Sequence, residues 1–307
     1  MIQSVFSTLI QVIVPLAIPV AAGALLVRLK GLETKHLLTL VLYCLLPCMV
    51  FDTLFKAQIS FGDLYQTVLF CLFNLFLLWA IANIAGKLLK LAAPEVAGLT
   101  LISTLTNSVN YGLPLVLLAF GQAGLDKASV YVVIQMIIVN TFGVYFAARS
   151  SFSIKDALRS VFSLPAIYAA MLAVILRAFA LHLPAGIEKG IDMIAVAYSP
   201  VVLAILGAQM AGVKNIRLER GLQAAFWSGM AIRSLIAPLA ACLVLYALGA
   251  GGVLFSTCFI LASMPVAVNA VILSEKFDAS SHVVSKCILW TTLASFLVLP
   301  ILIELVK

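Results

Sequence analysis

Residues 107–121 read NSVNYGLPLVLLAFG and interrupt a chain otherwise dominated by apolar runs. Two asparagines, a glycine and a proline fall within eight positions of a segment whose surroundings belong in hydrocarbon. Pro114 has no N–H to donate and its ring clashes with the preceding turn, while Gly112 loosens the chain just before it. Carbonyls upstream and N–H groups downstream thereby lose helical partners. At membrane depth that is tolerated only inside protein or beside a wet cavity. The segment reads as a membrane helix broken to expose backbone to a solute.

The composition around it supports that setting. Of 307 residues, 64% are hydrophobic and only 10% charged, against roughly 25% charged in a soluble domain. Apolar runs of about 20 residues, the length that crosses a ~30 Å hydrocarbon core, recur throughout. A transmembrane barrel would instead show alternating ~10-residue segments. The six cysteines (Cys44, Cys48, Cys71, Cys242, Cys258, Cys287) lie in or beside apolar runs and read as small buried thiols. No metal-ligand spacing or cofactor motif is present, and the opening MIQSVFST lacks the positive stretch of a signal peptide. The first apolar run is therefore expected to stay as a helix.

Charged and turn-forming residues divide the chain into ten spans, at about 5–27, 36–55, 64–86, 96–121, 128–148, 160–181, 187–212, 222–249, 252–275 and 284–305. Loops after the odd-numbered spans hold thirteen of the nineteen Lys and Arg residues, among them Arg28, Lys35, Lys87, Arg149, Lys214 and Arg217. The opposite side holds five, and Arg233 lies inside a span. By the positive-inside rule the first set faces the cytoplasm and both termini lie outside. This skew accounts for the net charge of +7 without nucleic acid as a partner.

Prolines suggest an internal repeat. Pro19, Pro47 and Pro114 of the first half pair with Pro165, Pro200 and Pro265 of the second at offsets of 146, 153 and 151. KAQISFGDLYQ and VKNIRLERGLQ precede spans 3 and 8 in matching places. Residues 1–148 and 160–307 then form two five-span units, joined by a short cytoplasmic connector at 149–159. Five is odd, so the second unit enters the membrane inverted, as in secondary transporters whose sites lie at discontinuous helices. The expected fold is an all-α polytopic membrane protein with a 5+5 inverted repeat, its broken spans 4 and 9 crossing at mid-bilayer.

Span 9 repeats the break in ILASMPVAVNAVILSEKF, where Ser263 precedes Pro265 and Asn269 follows. Asn107 and Asn110 can satisfy freed backbone groups or donate to a solute. Pro114 at the start of a restarting helix would leave free N–H groups and partial positive charge, which suit an anion. Tyr111 lies within the same interrupted stretch. Arg233 is the one basic residue deep in a span, a functional candidate by default. It can attract a carboxylate, hold the broken helices through their carbonyls, or snorkel toward the cytoplasm near Trp227. Gln135 and Asn140 in span 5 can line a cavity or bond neighbouring helices. Asp52, four residues before Lys56, reads as a local ion pair or as a coupling or gating group.

Ten spans with external termini, NSVNYGLPL in span 4, SMPVAVN in span 9 and IRSLIAP in span 8 together resemble the auxin efflux carrier family, within the bile-acid, arsenite and riboflavin transporter superfamily. The resemblance covers the whole chain. It implies crossover helices at spans 4 and 9, a scaffold of spans 1, 2, 6 and 7, and a moving transport domain from the other spans. The long cytoplasmic loop of many plant members is missing, since RSSFSIKDALRS spans only a dozen residues. That favours a compact bacterial-type carrier of the plasma membrane, whose relatives are assigned small carboxylates such as malate or malonate.

The expected activity is secondary or facilitative transport of a small organic anion by elevator-type alternation. An alternative is sodium- or proton-coupled transport of a larger, bile-acid-like amphipath, and a receptor role is a third reading. Intramembrane hydrolysis wants a deep Asp pair, a Ser–His pair or H-E-x-x-H, none of which occurs. The partners expected are the anion, the lipid bilayer and a second copy of the chain in a homodimer.

Overall fold

Proline marks several of the places where these helices deform. Four times, a π turn stands immediately ahead of an X-Pro pair: Leu9–Ile13 before Pro15, Val41–Leu45 before Pro47, Ser108–Gly112 before Pro114, and Ile232–Ile236 before Pro238. A helical proline leaves one carbonyl without a donor and its ring presses on the carbonyl four residues back. Widening the turn relieves that pressure while the chain stays helical. After Gly112, for instance, the Leu113 N–H reaches back five residues to Ser108 O.

The computed structural model describes residues 2–57, 60–148, 154–212 and 220–307. Arg149 with the first part of the connector, and Lys214 and Arg217, lie outside the described residues. The described chain is helical. In order come α1 (Gln3–Lys30), α2 (Thr34–Lys56), α3 (Phe61–Leu88), α4 (Ala93–Thr104) and α5 (Ser108–Ala148). There follow α6 (Ile154–Phe162), α7 (Pro165–Ala178), α8 (Ala185–Gly212), α9 (Leu222–Ala247), α10 (Gly252–Ala262), α11 (Asn269–Lys276) and α12 (Ser281–Val306). Among the described residues, seven are long and apolar enough to cross a membrane: α1, α2, α3, α5, α8, α9 and α12. Helices α7 and α10 are apolar but shorter.

At 41 residues, α5 would run about 60 Å if straight, twice the hydrocarbon thickness. It bends sharply at Gly121, whose φ of 65° and ψ of −159° are open essentially to glycine alone. The bend brings Gly124 against Val116 and Phe120.

Two groups of helices emerge from the packing. Helix α1 lies along α8, and α2 packs against both α7 and α8. In the second group α10 lies along α5, and α4 is held by α3, α9 and α12. The groups meet where α2 touches α5, where α8 touches the π turn at 108–112, and where the start of α1 touches α12.

Outward faces are apolar. Ile18, Leu29, Phe73, Val196, Leu239 and Leu297 are all more than half exposed, as expected where lipid replaces water as the solvent. Without a hydrophobic drive between helices, contact depends on close backbone approach at small residues. The α1–α8 crossing is the extreme case. A methyl at Gly23 would fall 1.8 Å from Ala204 O, and one at Gly207 would fall 1.8 Å from Val20 O.

Gly207→Ala should therefore push α1 and α8 apart and cost about 1–3 kcal/mol. Gly190→Ala in the same helix, where a methyl meets nothing within 4 Å, should be neutral. Thermal melting of the two purified variants makes the comparison.

Candidate functional site

Both expected interruptions exist, and they bond to each other. Helix α4 ends at Thr104, Leu105 turns extended, Asn107 (φ −79°, ψ 43°) leads back out of the break, and the chain becomes helical again at Ser108. Helix α10 ends at Ala262, and the chain becomes helical again at Asn269. Thr106 and Val266 form an antiparallel bridge. The Asn107 N–H donates to Pro265 O (2.9 Å) and the Ala267 N–H to Leu105 O (3.0 Å). Between them, the Val266 N–H donates to Thr291 Oγ1 on α12 (3.2 Å). All these residues are buried, which is the condition for non-helical backbone at membrane depth.

The first break lies earlier than the sequence reading places it. Gly112 and Pro114 are not its edge, because the Tyr111 and Gly112 N–H groups already donate to Asn107 O (3.2 and 3.0 Å). The π turn absorbs Pro114 and keeps it inside the helix. The leading N–H groups of the restarted helix are thus those of Ser108, Val109 and Asn110. In the second break, the N–H groups immediately after Pro265 are not free either. Those of Val266 and Ala267 are taken by Thr291 and Leu105.

Arg233 is 1% exposed and lies in the π turn of α9. Its Nη1 donates to Ser103 O (2.9 Å) and its Nη2 to Ala262 O. Those carbonyls belong to the last turns of α4 and α10, so one guanidinium closes the C-terminal ends of both half-helices. Its burial excludes the snorkelling alternative.

Around the restarted helix, Asn107 is 3% exposed and Ser108 fully buried, yet Asn107 Nδ2 and Ser108 Oγ have no hydrogen-bond partner within the fold. Asn110 accepts at Oδ1 from the Tyr198 hydroxyl of α8 (3.4 Å), which also lies 3.3 Å from Val109 O. Tyr111 is buried beside Phe296, and a methyl on Gly112 would strike Leu261. Ser263 Oγ turns back to Phe259 O (2.7 Å), while Asn269 at the start of α11 is exposed. Farther off, Gln135 is buried and Asn140 Nδ2 bonds Met136 O in its own helix (2.9 Å). Asp52 pairs with Lys56 (2.7 Å), which also reaches Asp192 (3.1 Å).

A cavity of about 710 Å³ approaches the start of α11 at Val268 and Val271. Its mouth is formed by the α1–α2 turn, the end of α8 and the start of α12, with Glu33, Lys35, Gln209 and His282 among its walls. Thr291 and Tyr198 escape sequence reading, because a hydroxyl in a membrane helix carries no local sign that its partner is a distant broken strand.

An apolar helical molecule with two interrupted helices bonded to one another inside it is built as a membrane carrier. The chain matches the family model described as membrane transport protein over residues 4–155 and 150–303, and it belongs to that family, the auxin efflux carriers. It is similar to an uncharacterized transporter of Methanothermobacter thermautotrophicus, at 27% identity with 88% of each chain covered. An uncharacterized transporter of Methanocaldococcus jannaschii is 25% identical, over 89% of this chain and 90% of that one.

Thr291→Val removes the acceptor of the buried Val266 N–H and should cost about 1–3 kcal/mol. Thr292→Val, which loses only a bond to Ile288 O of its own helix, should cost less than half as much. Melting temperatures of the purified variants test the difference.

Proposed function

We propose that this membrane transporter carries a small organic anion, by secondary or facilitative transport, past the crossing of its two interrupted helices. The observation that carries the reading is the pair of buried, unpartnered groups Asn107 Nδ2 and Ser108 Oγ at the start of a helix. Buried polar groups are nearly always bonded, and a helix start favours negative charge. Asn110, one turn further, adds a side-chain amide, and Asn269 stands at the start of the second restarted helix. Substrate and bilayer are then the partners of the working protein.

The topology proposed is ten crossings in two inverted units, residues 1–148 and 160–307. The crossings are α1, α2, α3, α4 with α5 as far as Gly121, the remainder of α5, α7, α8, α9, α10 with α11, and α12. Support comes from the antiparallel sense of the Thr106–Val266 bridge, since spans 4 and 9 of such an arrangement run in opposite directions. Both termini would face outside the cytoplasm. The α1, α2, α7 and α8 group supplies the scaffold, and the other group moves against it in an elevator-like step. The 710 Å³ cavity opens where the basic loops lie, whereas the ion pairs Lys56–Asp52, Lys56–Asp192, Lys127–Asp63 and Lys307–Glu304 are at the opposite end. That asymmetry suits a carrier open toward the cytoplasm. In it Asp52 serves as part of an ion-paired seam between α2 and α8.

Purified protein in liposomes should show saturable flux of labelled C3–C5 carboxylates. Asn107→Ala and Asn110→Ala should lower it about tenfold or more, the worth of one charge-assisted hydrogen bond. Asp52→Asn should leave it within about twofold. Undiminished flux in both asparagine variants would remove the crossing from the transport path.

A further inference from the structure

The C-terminal ends of α4 and α10 meet head to head beneath the crossing, and a helix end carries about half a negative charge. Two such ends amount to about one unit. Discontinuous membrane helices commonly settle this with a bound sodium ion or proton, held by carbonyls at the half-helix ends. Here the corresponding oxygens, Ser103 O and Ala262 O, both accept from Arg233. No carboxylate lies within ion-pair reach of Arg233 among the described residues. Its charge is therefore balanced by the helix ends themselves.

We propose that the Arg233 guanidinium is the built-in cation of the crossing, filling the seat that a coupling metal ion would otherwise take. Arginine suits the post because it stays charged under all ordinary conditions and its planar fork reaches two acceptors at once. The same geometry removes Arg233 from the list of groups that hold the passenger. Both terminal nitrogens are engaged. The third nitrogen, Nε, is buried without a partner, and the space beside Arg233, walled by Ser263, Thr291 and Ser295, measures about 10 Å³. That admits about one water molecule and no carboxylate. Arg233 is thus a positioning residue. It holds the two half-helices together at their negative ends, so that the positive ends remain for the anion. The consequence is a crossing whose stability and flux do not depend on added sodium.

This inference rests on the transport reading for its meaning, but melting temperature tests it without any substrate. Wild-type protein should melt at the same temperature in sodium chloride and in choline chloride at equal ionic strength. Arg233→Ala should melt lower by roughly 5 °C or more. Because it vacates the seat, adding dilute guanidinium or sodium chloride should raise its melting temperature, whereas choline chloride should not. A sodium-dependent rise in wild type would overturn the proposal, as would an Arg233→Ala protein that melts like wild type or ignores both cations. Should Arg233→Ala not fold, Arg233→Lys and Arg233→Met replace it. The charge-keeping variant should melt well above the apolar one, and equal melting would refute the assignment. In liposomes, sodium-dependent wild-type flux would also count against it. Absence of any carboxylate flux would count against the transport reading alone.

Discussion

Backbone N–H and C=O groups cannot be left unpaired in hydrocarbon, where each costs several kcal/mol, and this constraint organises the centre of the molecule. Two helices stop in mid-course, and each supplies what the other lacks. Residues 105–107 and 265–267 exchange backbone hydrogen bonds as a miniature antiparallel ladder. Thr291 provides one acceptor from a third helix, and Arg233 provides two donors from a fourth. Remove this mutual satisfaction and neither interruption could sit inside a membrane. Of the buried side-chain groups left without a partner at the crossing, Thr106 Oγ1, Asn107 Nδ2, Ser108 Oγ and the Tyr111 hydroxyl gather around the start of the restarted helix, and Arg233 Nε lies on the other side of the break.

The same logic explains why prolines and glycines are useful here rather than merely tolerated. Ahead of four prolines the helix widens into a π turn, so the chain bends without exposing its backbone. At Gly23 and Gly207 the lack of a side chain lets α1 and α8 meet backbone to backbone, which is how helices bind one another where lipid is as apolar as leucine. The two helix groups meet near the crossing, where α8 reaches the Ser108–Gly112 turn and Tyr198 touches Asn110. A passenger held at the crossing would therefore lie beside the boundary between the groups.

Much of this could be read in the sequence. Composition and run length establish a helical membrane protein, and NSVNYGLPL and SMPVAVN mark the two interruptions. Asp52 with Lys56 is legible as a local pair because four residues make one helical turn. The position of the first break was not legible. Proline suggests an edge at Gly112–Pro114, yet the helix stops at Thr104, eight residues before Gly112, where Leu105 turns extended to face residues 265–267. The choice between an interruption and a π turn depends on whether a partner strand is present, and that partner lies about 160 residues away.

By itself, then, the sequence determined the solvent, the element type and the neighbourhoods of the breaks, because hydrophobic run length and the missing N–H of proline are properties of a chain wherever it folds. Only the tertiary structure decided which groups those breaks would bond. Arg233 has three roles open to it when read along its own helix, and only the fold shows its guanidinium bonded to Ser103 O and Ala262 O. A hydrogen bond needs both partners in space, and the partners here come from helices that no local pattern connects.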